Sequence, residues 1–294
     1  MRLGDRKSSN FEDRTGQRGG GGFGGGGLAA GLIPLIARFV FNKFGIVGLL
    51  ILGLGYCALS GGLGGLMGGG ASQSASSSGE STLSAEDGAL LRGTLESTDE
   101  VWGAIFRQAG AQYQEPTLVA YSSGTQTACG FGQAAMGPFY CPGDQKIYID
   151  PDFFNELSRR FDAPGDFAAR YVIAHEVGHH IQNLEGTLRN VQAQQQRMSQ
   201  TQGNRLQVGV ELQADCYAGV WAANARDEKG LLLEPGDLEE GMRAAEAIGD
   251  DTLQRKAQGR VVPESFTHGT SAQRMEALRK GLSTGNPASC DYAG

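Results

Sequence analysis

The stretch Tyr171-Val-Ile-Ala-His-Glu-Val-Gly-His-His180 leaves this chain few ways to fold. Wound as a helix, it surrounds its ionisable groups with Val172, Ile173, Val177 and, just beyond, Ile181, so that it is at least half buried. His175 and His179 then stand one turn apart on one face, with Glu176 beside them. Burying unpaired imidazoles and a carboxylate is costly, so these groups need partners. Two imidazoles at this spacing can grip one metal ion, and a neighbouring carboxylate can handle the proton of a bound water. The chain has four histidines, and three of them, His175, His179 and His180, lie within six residues, which is too concentrated for background. His180 projects about 100° away from His179 and suits a surface or supporting role.

The rest of the chain divides by composition. Residues 1–43 carry seven Lys/Arg against three acids, while the whole chain has a net charge of −7, so the remaining body is strongly acidic. An acidic body lacks the basic footprint that phosphate binding needs, which argues against nucleic acid as a partner. Residues 1–27 are polar and then Gly-rich, predicting a disordered, basic N-terminus over 1–43. Phe44 to Met67 contains no charged residue, and as a helix its length would be about 36 Å against a bilayer core of about 30 Å. Basic residues before it and Glu80, Glu86 and Asp87 after it predict a single-pass transmembrane helix over 44–67. The N-terminus would then be cytoplasmic and the C-terminal domain exported, at the inner membrane with the domain in the periplasm. A cleaved signal peptide is disfavoured by the 43 residues of polar chain ahead of it. Residues 68–83 read as a Gly/Ser linker.

A folded domain is expected over 84–294. Ser84-Ala-Glu-Asp87 opens a first helix that runs to about Ala109, and Thr270-x-x-Gln273 caps a last one. Thr117 to Tyr121 and Lys146 to Asp150 are strand candidates. Helical patterning covers roughly 152–161, 166–185, 187–200, 204–228, 237–256 and 271–282. The fold class is therefore helix-rich α+β with a small sheet ahead of the His-bearing helix.

A catalytic zinc site wants three protein ligands and leaves a fourth position for water. Downstream, Glu211-Leu-Gln-Ala-Asp215 places two carboxylates on one face of a helical run. We take Glu211 as the third ligand beside His175 and His179. Asp215 would accept the free N–H of a ligand imidazole and fix its tautomer.

HExxH followed by ExxxD on a later helix resembles the thermolysin-like (gluzincin) peptidases. More closely, the chain resembles the bacterial family of neutral zinc metallopeptidases. The stretches that carry this resemblance are Asn10-Phe-Glu-Asp-Arg14, Ala174 to Gln182, Glu211 to Gly219 and Phe266-Thr-His-Gly-Thr-Ser-Ala-Gln-Arg274. The resemblance implies a membrane-anchored protein with an exported, zincin-like domain, Zn2+ as cofactor and a peptide or protein as substrate. It implies Glu211 as zinc ligand, Asp215 as the partner of His175, and Glu176 as the base that deprotonates the attacking water. It also implies a downstream histidine as oxyanion donor, for which His268 is the candidate, with Tyr217 behind it.

Five cysteines sharpen the compartment. Cys57 lies in the apolar stretch, leaving Cys129, Cys141, Cys216 and Cys290 for two disulfides with three possible pairings. Cys129–Cys141 would staple a Gly-rich excursion, and Cys216–Cys290 would tie the C-terminal tail to the Glu211 helix. There is no CxxC pair to make a Cys-type zinc site, and no GxxxxGK[ST] to cradle phosphate. The reading is a membrane-anchored zinc endopeptidase. Its rival is a non-catalytic, zinc-stabilised membrane-tethered scaffold or chaperone-like binder, in which Cys216 or His268 would close the fourth metal position.

Overall fold

The computed structural model describes residues 1–4, 6–17 and 80–293. The 44–67 apolar stretch lies outside these residues, and among them no helix is long and apolar enough to cross a membrane. The domain is helix-rich α+β. Its strands are β1 (Phe11–Arg14), β2 (Thr117–Tyr121), β3 (Gly124–Thr127), β4 (Gly130–Gln133), β5 (Phe139–Cys141), β6 (Lys146–Ile149), β7 (Arg226–Asp227) and β8 (Gly230–Leu231). Its helices are α1 (Ala85–Gln108), α2 (Asp152–Arg159), α3 (Asp166–Glu185), α4 (Thr187–Gln195), α5 (Gln200–Asn224), α6 (Asp237–Ala247), α7 (Asp250–Gln258) and α8 (Ser271–Thr284).

One four-stranded sheet, in the order β1-β2-β6-β5, packs beside α1 and α3. β1, β2 and β6 run parallel, and β5 closes the edge antiparallel to β6. Leu118, Ala120, Ile147 and Ile149 point from β2 and β6 into a core shared with Ile173, Val177 and Ile181 of α3 and with Leu91 and Leu95 of α1. This pleat explains why the apolar side of α3 is fixed against the sheet, turning His175 and His179 towards α5.

The helix pair α5–α8 is joined backbone to backbone. A Cβ on Gly281 would collide with the Cys216 carbonyl, and one on Gly219 with the Leu278 carbonyl. Gly178 plays the same part between α3 and α5, where an added Cβ would stand 2.9 Å from Ala214 Cα. These three glycines draw α3, α5 and α8 into one tight layer, and every side chain of the site described below comes from that layer or its rim.

Three sequence expectations change. Residues 1–17 were expected to be disordered, yet β1 joins the sheet, with Leu118 N–H donating to Asn10 O at 2.9 Å. Met1 and Leu3 are buried in the core beside Phe167, Tyr171 and Trp221, and the Met1 ammonium pairs with Asp237 at 2.9 Å. The single helix expected over 237–256 is two helices, parted at Ile248–Gly249. There the chain turns so that the Asp250 carboxylate can receive three backbone N–H groups, from Thr267 (2.8 Å), His268 (2.7 Å) and Gly269 (3.0 Å). The helix expected over 204–228 starts earlier, at a Ser199–Gln202 capping box, and stops at Asn224 because a β7–β8 hairpin follows. The Thr270–Gln273 box is present as expected, and Ser84 Oγ caps α1 through Asp87 N–H.

Candidate zinc centre

His175 and His179 sit at the middle of α3, and Glu211 and Asp215 face them from α5. The ring nitrogens and carboxylate oxygen of His175, His179 and Glu211 all lie within 4.8 Å of one another. Glu211 Oε2 is 3.2 Å from His175 Nε2 and 3.6 Å from His179 Nε2. A tetrahedral zinc with bonds of about 2.0–2.2 Å sets its ligand atoms roughly 3.4 Å apart, so this donor set fits the ion.

Both imidazoles are already oriented for it. His175 Nδ1–H donates to Asp215 Oδ1 at 2.7 Å, and His179 Nδ1–H donates to Gln182 Oε1 at 2.8 Å. Each bond fixes a proton on Nδ1 and aims Nε2 at Glu211, so that Nε2 is the nitrogen that would give up its own proton to bind a metal. Gln182 is itself fixed, its Nε2 donating to Val210 O at 2.7 Å and Gln213 Oε1 at 2.9 Å. Gln207 Nε2 donates to the other Glu211 oxygen at 3.2 Å, leaving Oε2 for the metal.

Charge completes the picture. Burial drives the His175 imidazolium down, but the Asp215 carboxylate outweighs it and, with Glu211, raises the group to about 10. A metal ion would compete with that proton for the same nitrogen, so binding there releases it. Burial works against the Glu211 carboxylate too. The His179 and His268 imidazoles beside it and the bond from His175 still hold it well below the usual carboxylate range. Glu176 differs. It is buried beside the imidazoles, and burial raises its pKa more than their charge lowers it.

The sequence reading missed one residue with a large role. Arg274 of α8 is 2 % exposed and grips Asp215 with both arms of its guanidinium, Nε to Oδ2 at 2.8 Å and Nη2 to Oδ1 at 2.9 Å. Tyr171 O–H donates to the same carboxylate at 2.6 Å. Burial pushes the Asp215 pKa up, yet Arg274 and His175 together bring it down to about 2. Asp215 thus stays ionised with four donors around it and holds His175 rigidly. A signal for this existed in the sequence: Arg274 shares the buried stripe of α8 with Ala277, Leu278 and Gly281, at a spacing that puts all four on one face. An arginine on such a stripe needs a buried acid.

The remaining candidates are sorted by position. His268 lies at the rim, its side chain 35 % exposed, near enough to Glu211 for their charges to act on each other. Its Nδ1 is within reach of Thr267 Oγ1 (3.1 Å) and Asp250 Oδ1 (3.4 Å), while Asp250 pins the loop beneath it. Tyr217 is elsewhere: its hydroxyl donates to Glu185 at 2.8 Å and its ring packs edge-on against Trp102. His180 is fully buried between Tyr140 O–H and the Gln114 carbonyl, so it belongs to the core behind α3 and not to the surface. Cys216 is paired with Cys290, and Cys129 with Cys141, so none of these four thiols can serve as a zinc ligand.

The family model described as "Putative neutral zinc metallopeptidase" matches residues 1–293. The chain belongs to this family. It is 45 % identical over 293 residues to the uncharacterized protein YpfJ of Escherichia coli strain K12, covering 99 % of this chain and 98 % of that one. It is 41 % identical over 207 residues to the uncharacterized protein Rv2575 of Mycobacterium tuberculosis, covering 67 % and 68 % of the two chains. No solved structure gives a significant match. The family description names zinc, and the His175, His179 and Glu211 cluster is where the described residues can hold it.

Proposed function

We propose that this protein is a zinc-dependent peptidase acting on peptide or protein substrates. The observation that carries the reading is the convergence of His175 Nε2, His179 Nε2 and Glu211 Oε2 beside a buried Glu176. Zinc held there would supply a Lewis acid that polarises the scissile carbonyl and acidifies a water. The protein's part is proton handling and orientation. Glu176 takes the proton of the attacking water and passes it to the leaving amine. Burial raises its pKa, which favours the protonated carboxyl that must exist between taking the proton and returning it. His268, its Nδ1 side turned to Asp250 and Thr267, offers Nε2 as a donor to the carbonyl oxygen as negative charge develops on it.

The scaffold reading needs a closed fourth position. Cys216 is unable to provide it, and a structural site has no use for a glutamate at position 176. Two disulfides support an oxidising compartment for residues 80–293, in keeping with an exported domain at the membrane.

Purified full-length protein is expected to cleave an unfolded protein substrate, to stop when a chelator is added and to resume when zinc is restored. Capture of the substrate without cleavage, with or without zinc, would instead favour the binder.

A further inference from the structure

The Asn10-Phe-Glu-Asp-Arg14 stretch takes no part in the zinc centre, yet every residue in it is committed to a contact. Asn10 Nδ2 donates to Glu115, and the Phe11 ring lies 3.9 Å beneath the Arg92 guanidinium. Glu12 pairs with Lys146 and Arg14, and Arg14 Nη1 reaches Gln126 O at 3.2 Å. Asp13 Oδ1 accepts from Thr15 N–H at 2.9 Å and Thr15 O–H at 2.7 Å, while Asp13 Oδ2 accepts from Ser81 O–H. Thr82 N–H then donates to the buried Thr15 Oγ1 at 3.0 Å. The stretch therefore does two things. It adds an edge strand to the sheet, and it clasps residues 13–15 to residues 81–82, the two points between which the 44–67 apolar stretch must run.

We infer that residues 1–17 and residues 80–293 occupy the same face of the membrane. One crossing would part its two ends by the bilayer core, about 30 Å. In the clasp, Thr82 N lies 3.0 Å from Thr15 Oγ1. β1 and β2 share one ladder, and Met1 is buried against Asp237, so separation would cost the domain both a strand and part of its core. Part of the N-terminal positive charge is engaged within the domain: Arg6 pairs with Glu100, Arg14 with Glu12, and the Met1 ammonium with Asp237. This arrangement is an alternative to the single-pass topology expected from the sequence, and it stands or falls independently of peptidase activity.

The test labels two exposed positions that flank the stretch, Gln17 and Glu80. Gln17→Cys and Glu80→Cys are introduced singly into the full chain carrying Cys57→Ser, so that each offers one unpaired thiol. Spheroplasts are treated with a membrane-impermeant maleimide, and detergent-lysed samples set full labelling. Equal labelling of both positions before lysis, at about the level reached after it, supports the shared face and puts it on the exported side. Protection of both positions until lysis also supports a shared face, with the cytoplasm as its location. Labelling of Glu80→Cys in intact spheroplasts with Gln17→Cys protected until lysis would overturn the inference.

Discussion

Glu176→Gln is expected to leave zinc bound and to lower the rate of peptide cleavage by about 10²–10⁴-fold, the usual contribution of a positioned general base. The amide keeps the size of the carboxyl, so the packing around His175 and His179 is preserved. It removes the group that accepts the proton of the attacking water. Stability should not fall, because burial already disfavours the Glu176 carboxylate and an uncharged amide ends that cost. Cleavage rates, metal content and thermal unfolding measured on the same preparations check all three statements. Equal rates for wild type and variant would remove Glu176 from the mechanism while leaving the metal site intact.

Arg274→Met should have the second large effect, and it acts from behind the metal. The substitution strips two of four donors from a carboxylate that has no exposure to water. Removing one partner of a buried ion pair typically costs about 3–5 kcal/mol, so denaturant unfolding should shift strongly. Asp215 would then turn towards its remaining donors, Tyr171 and His175, and lose its hold on the ring geometry. Loss of such an outer partner lowers metal affinity by about 10–100-fold. A double variant, Arg274→Met with Asp215→Asn, separates the two effects. The neutral amide removes the stranded charge and should recover much of the stability, while zinc affinity stays low because an uncharged amide oxygen accepts the His175 N–H more weakly than the carboxylate. Recovery of both together would mean that Arg274 serves packing alone.

How much of this was legible in the sequence depends on how local the signal is. The residues of the candidate metal cluster were readable because they are written as short spacings, His175 to His179 and Glu211 to Asp215, each one helical turn. The Thr270–Gln273 box and the α3 helix were readable for the same reason. β1 was not: Phe-Glu-Asp-Arg has no apolar alternation, and its strand state comes from pairing with Leu118 to Tyr121, more than a hundred residues away. Strand tendency in such a segment is a property of its neighbours more than of its own residues. The break between α6 and α7 was hidden because Asp250 satisfies N–H groups of a loop far ahead of it in the chain. Arg274 lay in plain sight as a basic residue on an apolar stripe, but its meaning required knowing that Asp215 faced it. The disulfides fell between these cases. Four cysteines allow three pairings, and the pair set out from the sequence, Cys129–Cys141 and Cys216–Cys290, is the one the fold forms.

Zinc content is the measurement that bears most directly on the central claim. Full-length wild type, His179→Gln and Glu211→Gln would be purified without added metal and analysed by elemental mass spectrometry. Wild type should carry about one zinc per chain, the load of a mononuclear catalytic centre, and each variant should lose most of it. No metal in wild type, or an undiminished load in both variants, would contradict the assignment of His175, His179 and Glu211 as the zinc centre.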